Sequence, residues 1–565
     1  MERNTGLDAL GGLAAAHYAH PTPWEMVFSP LSVPQLLADQ ALSRPDAPMI
    51  DFMGRAYSYR EVESLARRFA AGLLALGVSK GDRVGLFLPN VPVYAMAYYG
   101  AMMAGATLVN FSPLYSAEEL EAQVEDSGTR ILVTLDVPAL LPTALEVLDN
   151  SSLQRLVVAR LADQLPFWKG LALRLLGRSQ LAPVPRRADC MAWDDCLAPD
   201  AAPPVAIDPE QDLALLQYTG GTTGTPKGAM LTHQNLTANA RQVRAVDPDR
   251  DNRDVVLGVL PLFHVFANTC VLNRTVANGG CVVMLPRFDA GQALATIERT
   301  RPTSLFAVPT MYQALLDHPR VGGTDFSSIR QSISGGAPLP LPLKNRFEEV
   351  TGVRVIEGYG LTETSGVVST NPLVGENRAG TIGQPIPGTQ VRLLDKEDPA
   401  RDPEPGEPGE LVVRGPQVME GYWNRPDAAA NAFAERDGQL WLRTGDIALF
   451  DEDGFIRIVD RSKDMIAVGG FKVFPSYVEK LVLEHPAVKE ALVIGVPDSY
   501  LGEKPRAYVT LEANADAVTG EDLRDAINPH LGKHERVDSV VIRESLPKTM
   551  IGKLDRKALR AEVLG

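Results

Sequence analysis

The densest chemistry in the chain sits in eleven residues, Tyr218-Thr219-Gly220-Gly221-Thr222-Thr223-Gly224-Thr225-Pro226-Lys227-Gly228, which follow the apolar run Leu213 to Leu216. Glycines let a backbone turn with its N–H groups pointing inward, hydroxyls add donors and Lys227 adds a positive charge. Together they make a cradle for phosphate. A flexible surface turn is the plain alternative, and the fixed Pro226-Lys227 pair argues against it. The stretch is not a Walker A loop, because Pro226-Lys227-Gly228 replaces the Gly-Lys-Ser/Thr ending.

Further blocks follow downstream: Gly335-Gly336-Ala337-Pro338, Glu357-Gly358-Tyr359-Gly360-Leu361-Thr362-Glu363-Thr364, Leu442-Arg443-Thr444-Gly445-Asp446, Asp460-Arg461-Ser462-Lys463-Asp464 and Pro547-Lys548-Thr549-Met550-Ile551-Gly552-Lys553. Taken singly they are weak, since a Gly pair is usually a loop and Thr-Gly-Asp usually a turn. In this order the chain resembles the adenylate-forming superfamily from about Leu31 to its C-terminus. Within it the chain is similar to bacterial long-chain fatty acid:CoA ligases.

The resemblance implies ATP, Mg²⁺ and coenzyme A as reactants. Thr219, Gly220, Gly221, Thr222, Thr223, Gly224, Thr225 and Lys227 would hold phosphates, Thr362 would donate to the α-phosphate and Glu363 would offer the metal an oxygen. Tyr359 and Gly360, with Gly335, Gly336 and Ala337, would approach the adenine. Asp446 would take the ribose hydroxyls in a fork, reinforced by Arg461. Lys463 matches the hinge, and Lys553 is the cation that would steer a carboxylate to the α-phosphate. His264, by itself a satisfied core histidine, stands where the family has its acyl-pocket histidine. Gly469 and Gly470 would line the path of the thiol. Gly469-Gly470 departs from the Ser-Gly common in the subgroup, and Lys472 from a frequent Asn, which touches the second half-reaction.

The expected reaction is ATP-dependent ligation of a long-chain fatty acid to coenzyme A through an acyl-adenylate, releasing AMP and pyrophosphate. The stretch Phe266 to Leu272 after His264 reads as small and apolar, with no obvious polar group for an amino acid. Aryl or medium-chain acids, or a carrier-protein thiol, are the alternatives. A luciferase-like oxygenase would need an oxidisable substrate, and a non-catalytic sensor would be expected to have lost Lys553 or Glu363.

Short β-branched runs near residues 130, 254, 304, 331 and 353 alternate with amphipathic stretches. They must position these groups as α/β layers with parallel strands. After Asp460 the pattern becomes a compact strand-and-helix series. The expected fold is therefore α/β multidomain. Residues 1–460 form a large N-terminal domain of layered α/β subdomains that binds ATP and acyl group, 461–463 a hinge, and 464–565 a small mobile α+β C-terminal domain carrying Lys553. Residues 197–210 and 396–410 read as exposed connections. The uncharged run Val84 to Ala117, broken by Pro and Gly, reads as a buried strand and buried helix rather than a membrane span. Leu165 to Arg178 is Leu-rich and basic with Trp168 and Phe167, and suits either a helix on a bilayer surface or a buried helix with a basic edge.

At 565 residues the chain exceeds one core, and its net charge of -15 argues against nucleic acid as a partner. Four irregularly spaced cysteines and an N-terminus without an apolar core point to the cytoplasm, with peripheral contact at the membrane face as an option. The oligomeric state stays open, a homodimer being one option.

Overall fold

A computed structural model describes residues 17–565 except 202–204, 220–225, 396–397, 399–400, 405, 462–463, 470, 514, 516–517 and 550–551. Among the described residues there are four sheets. The expected alternation is present: strands Val255–Gly258, Cys281–Met284, Ser304–Ala307, Gln331–Ser334 and Val355–Tyr359 run parallel in a nine-stranded sheet. Helices Ala290–Thr300, Pro309–Asp317 and Leu341–Thr351 cross between them. Proline in the first turn starts the last two, where no N–H is needed. Ligand sites in such sheets gather beyond the carboxyl ends of the strands. Here those ends lead into His264, Thr310, Gly335-Gly336 and Gly360.

An eight-stranded sheet packs in the same continuous core. Its strand Leu213–Thr219 turns back antiparallel into Lys227–Thr232, with Thr219 opposite Lys227. The phosphate-cradle motif thus joins two strands rather than a strand and a helix.

The run from Val84 supplies strand Arg83–Leu86 and helix Pro92–Met103, which is buried from Pro92 to Met102. Its polar atoms stitch the two large sheets together. Asn90 Nδ2 donates to Leu260 O (2.8 Å) while its Oδ1 accepts from Leu262 N (2.8 Å), and Tyr98 and Tyr99 donate to Asn268 and Asn273 (both 3.0 Å). No helix among the described residues is long and apolar enough to cross a membrane.

The third sheet departs from the parallel expectation. Gln390–Leu394, Gly409–Arg414, Gln439–Phe450 and Ile456–Arg461 pair antiparallel. Residues 396–410 bridge the first two as expected, although Gly409 and Glu410 already belong to a strand. The fourth sheet lies wholly after Arg461 and has its own core around Val473, Val478, Val493, Val509 and Leu523. The architecture is a large N-terminal α/β part and a small C-terminal domain.

Helix Phe167–Leu176 lies at the protein surface, against the reading of that segment as a buried helix. Only Gly170 is buried, while Phe167 and Trp168 are 73% and 75% exposed.

Candidate active site

Strand register brings the first pair together. Asp446 and Arg461 face each other across antiparallel strands, and Arg461 Nε donates to Asp446 Oδ1 (3.1 Å). Tyr359, ending its parallel strand, donates its hydroxyl to Asp446 Oδ2 (2.5 Å). Asp446 is 2% exposed, and burial pushes its carboxyl up while Arg461 and Tyr359 oppose the rise. The side chain therefore closes no local turn. Each oxygen already has one donor and keeps lone-pair capacity for another.

Lys553 lies in the space that a Cβ would need at Gly336: such an atom would stand 2.5 Å from Lys553 Cε and 2.9 Å from Nζ. Gly336 also has φ +81, so the position calls for glycine twice over. At Gly335 the ring of Phe266 fills the corresponding space, 2.9 Å away, and at Gly360 the carbonyl of Gly366 does so, 2.0 Å away. Burial lowers the Lys553 ammonium to about 8, with Arg461 acting the same way and Asp446 opposing. His264 is pushed down to about 3 by burial and then by Lys553, so it is neutral. Its Nδ1 accepts from Phe266 N (3.2 Å), leaving the proton on Nε2.

Thr362 and Glu363 occupy a single helical turn held from two sides. Ser365, at φ +57, accepts from Thr269 Oγ1 at its carbonyl (2.5 Å), and its hydroxyl donates to Gln417 O (2.9 Å). Thr269 belongs to the π-helical segment Asn268–Asn273, a rare geometry that recurs at functional sites. Glu363 Oε1 accepts from the Tyr422 hydroxyl (2.7 Å), and the Lys227 ammonium lies 5.2 Å over the Tyr422 ring. Tyr422 is placed by the short strand Gly421–Tyr422, which pairs with Lys227–Thr232. Tyr218 is fixed by its bond to Asp126 Oδ2 (2.7 Å).

Lys227, Glu363, Tyr359, Asp446, Arg461, Lys553, His264, Gly335, Gly336 and Gly360 thus form one connected region, with Thr219, Ala337 and Thr362 beside them in the chain. Gly469 stands apart, its N–H on Leu501 O (2.8 Å) and its Cβ space next to Leu501. Gly220, Gly221, Thr222, Thr223, Gly224, Thr225, Lys463 and Gly470 lie outside the described residues. Sequence reasoning passed over Tyr422, Thr269, Gln417 and Asn90 as site-builders. Tyr422 lies outside the site blocks read from the sequence, and nothing in its spacing announced that it would reach Glu363.

This arrangement combines a lysine at the start of strand Lys227–Thr232, a carboxylate with an aromatic donor, and a cation presented by the C-terminal domain. Residues 37–423 match the model of the AMP-binding enzyme family, and residues 477–553 that of the AMP-binding enzyme C-terminal domain. The chain belongs to the AMP-binding enzyme family. It is 39% identical over 552 residues to a long-chain-fatty-acid--CoA ligase of Bacillus subtilis, covering 97% of both chains. It is 38% identical to the protein of that name from Salmonella typhimurium, covering 94% of this chain and 95% of the relative. Among solved structures, the anthranilate CoA ligase AuaEII in complex with anthranoyl-AMP superposes with a TM-score of 0.83 at 26% identity, covering 95% of this chain and 98% of that one.

Proposed function

We propose that this chain is an AMP-forming acid–thiol ligase that joins a long-chain fatty acid to coenzyme A. The observation that carries this reading is Lys553 inserted at Gly336 beside Asp446 and Arg461, together with relatives bearing that name. A carboxylate is a poor electrophile, so its oxygen first attacks the α-phosphorus of ATP and the bond to pyrophosphate breaks. Lys553 steers the carboxylate and offsets charge at that phosphate; Thr362 donates to it. Asp446 and Arg461 hold the ribose. The Glu363 carboxylate is a hard oxygen donor suited to Mg²⁺ that keeps its waters and phosphate ligands, and the ion would neutralise phosphate charge there. The thiol of coenzyme A then attacks the acyl carbon and AMP leaves.

We divide the chain into residues 1–460, a hinge at 461–463 with Lys463 as pivot, and a C-terminal domain at 464–565 that turns between the two steps. The decisive experiment measures the half-reactions separately. Lys553→Ala should lower pyrophosphate release with palmitate and ATP by roughly 10²-fold, the scale of one charged transition-state donor, while supplied acyl-AMP plus coenzyme A is still converted. Equal loss in both steps would make Lys553 structural. A panel of aryl, medium-chain and long-chain acids, with coenzyme A or a carrier-protein thiol, fixes substrate class and acceptor.

Contact of helix Phe167–Leu176 with a membrane surface completes the reading, supported by exposed Phe167, Trp168, Leu175 and Leu176. The cations expected to meet lipid are partly engaged: Lys169 donates to Met53 O (2.8 Å) and Arg174 pairs with Asp163. The apolar residues therefore carry the contact.

A further inference from the structure

Two contacts join the C-terminal domain to helix Pro309–Asp317 of the large domain. Thr310 Oγ1 donates to Gly552 O (2.8 Å), and Lys489 Nζ meets Asp317 Oδ2 (2.7 Å). Between them Gln313 donates to Asp317 Oδ1 (2.8 Å), orienting that carboxylate. Thr310, Gln313 and Asp317 are spaced three and four residues apart, so they form one stripe of the helix. Met311, Tyr312, Leu315 and Leu316 on the other side are buried in the large core.

The receiving side is equally ordered. Lys489 and Glu490 are neighbours in strand Val488–Asp498. Lys489 reaches the helix, and Glu490 pairs with Lys548 (2.7 Å), at the base of the loop that carries Lys553. That loop is closed by Thr549 N on Lys553 O (2.6 Å) and Lys553 N on Thr549 Oγ1 (3.1 Å). Helix, strand and the segment that carries Lys553 are therefore joined in one closed ring of contacts.

We propose that the Thr310–Gln313–Asp317 stripe is a latch for the orientation in which Lys553 enters the site, with Asp317 and Lys489 as positioning residues for acyl-adenylate formation. The helix belongs to one domain and Gly552 and Lys489 to the other, so turning the C-terminal domain to withdraw Lys553 must break both contacts. The Asp317–Lys489 pair is half-exposed, and pairs of that kind are weak. A weak latch biases the orientation without trapping it.

The proposal rests on the two-orientation reading, and the test separates them. Acyl-AMP formation and the conversion of supplied acyl-AMP by coenzyme A are measured for Asp317→Lys, Lys489→Asp, the double exchange and Lys553→Ala. Each single reversal should slow adenylation roughly two- to fivefold, the scale of a surface ion pair, and leave or quicken thioester formation. The double exchange should restore adenylation, and the single-variant defects should shrink in 0.5 M salt (added salt of about this strength screens exposed pairs). Lysine at a helix C-terminus suits the helix dipole, so Asp317→Lys should fold. Unchanged adenylation in both single variants, no rescue by the exchange, or equal slowing of both steps overturns the latch. If Lys553→Ala leaves adenylation intact, the two-orientation reading itself falls, and the latch with it.

Discussion

Burial holds the Lys553 ammonium at about 8, and only its charged form can offset charge on the α-phosphate. The kcat/KM of acyl-AMP formation should therefore fall as pH rises through about 8. Under saturating ATP the nucleotide's own charge favours the ammonium, so kcat should fall only at higher pH. Pyrophosphate-release profiles check both limbs, and a flat kcat/KM beyond pH 9 (roughly one unit above that value) would refute the assignment. His264, held at about 3, should add no limb in the neutral range. Gly336→Ala places a methyl group against Lys553 and forces a left-handed backbone on alanine. At about 1–3 kcal/mol of strain it should cost adenylation roughly tenfold or more while sparing thioester formation. Of the residues involved, Lys553, Asp446, Glu363 and Lys227 were legible because ordered motifs name them. The reason for Gly336 was not, since the group that fills its Cβ space arrives from a position 217 residues later.

Elements explain what motifs leave out. The hydroxyl that orients Glu363 comes from outside its own turn, from a two-residue strand added to the edge of the Leu213–Thr219 and Lys227–Thr232 pair. Tyr422→Phe keeps the ring beneath Lys227 and removes that hydroxyl alone. Loss of a hydrogen bond to a charged group, about 1.5–3 kcal/mol, should raise the KM for MgATP or lower kcat by roughly 10-fold or more. An unchanged thermal midpoint would assign the loss to the site rather than to folding, and wild-type kinetics would remove Tyr422 from it. The parallel strands near 254, 304, 331 and 353 were readable from their β-branched runs and helical spacers. The antiparallel third sheet was not, because burial along Gln439–Phe450 comes in blocks of two and three residues and shows neither a strand's period of two nor one continuous buried run. The charge-free run from Val84 was readable as core, yet its Asn and Tyr residues acquire a purpose only when a second sheet comes within hydrogen-bond reach.

At the scale of the whole molecule, a net charge of -15 opposes anionic membranes, so contact has to be local and apolar. Phe167→Ser with Trp168→Ser should reduce sedimentation with anionic vesicles and activity on vesicle-borne palmitate, while activity on a soluble short acid stays the same. Equal sedimentation of both proteins would return the helix to an ordinary surface role. The composition of this segment was legible, but its exposure was not, since an amphipathic pattern fits a core face as well as a lipid face. The change of rhythm after Asp460, from long α/β units to a compact series, was legible, and the separate core after Arg461 is consistent with the proposed division there. The pairing of Arg461 with Asp446 has a further consequence. Arg461, which ends strand Ile456–Arg461 and opens the proposed hinge, also grips the carboxylate proposed to hold the ribose, so the axle of the proposed rotation is bolted to the cargo. In the proposed two-step cycle everything beyond it would swing while the activated acyl group stays in its berth, so a water-labile intermediate would meet one tool after the other without being set down.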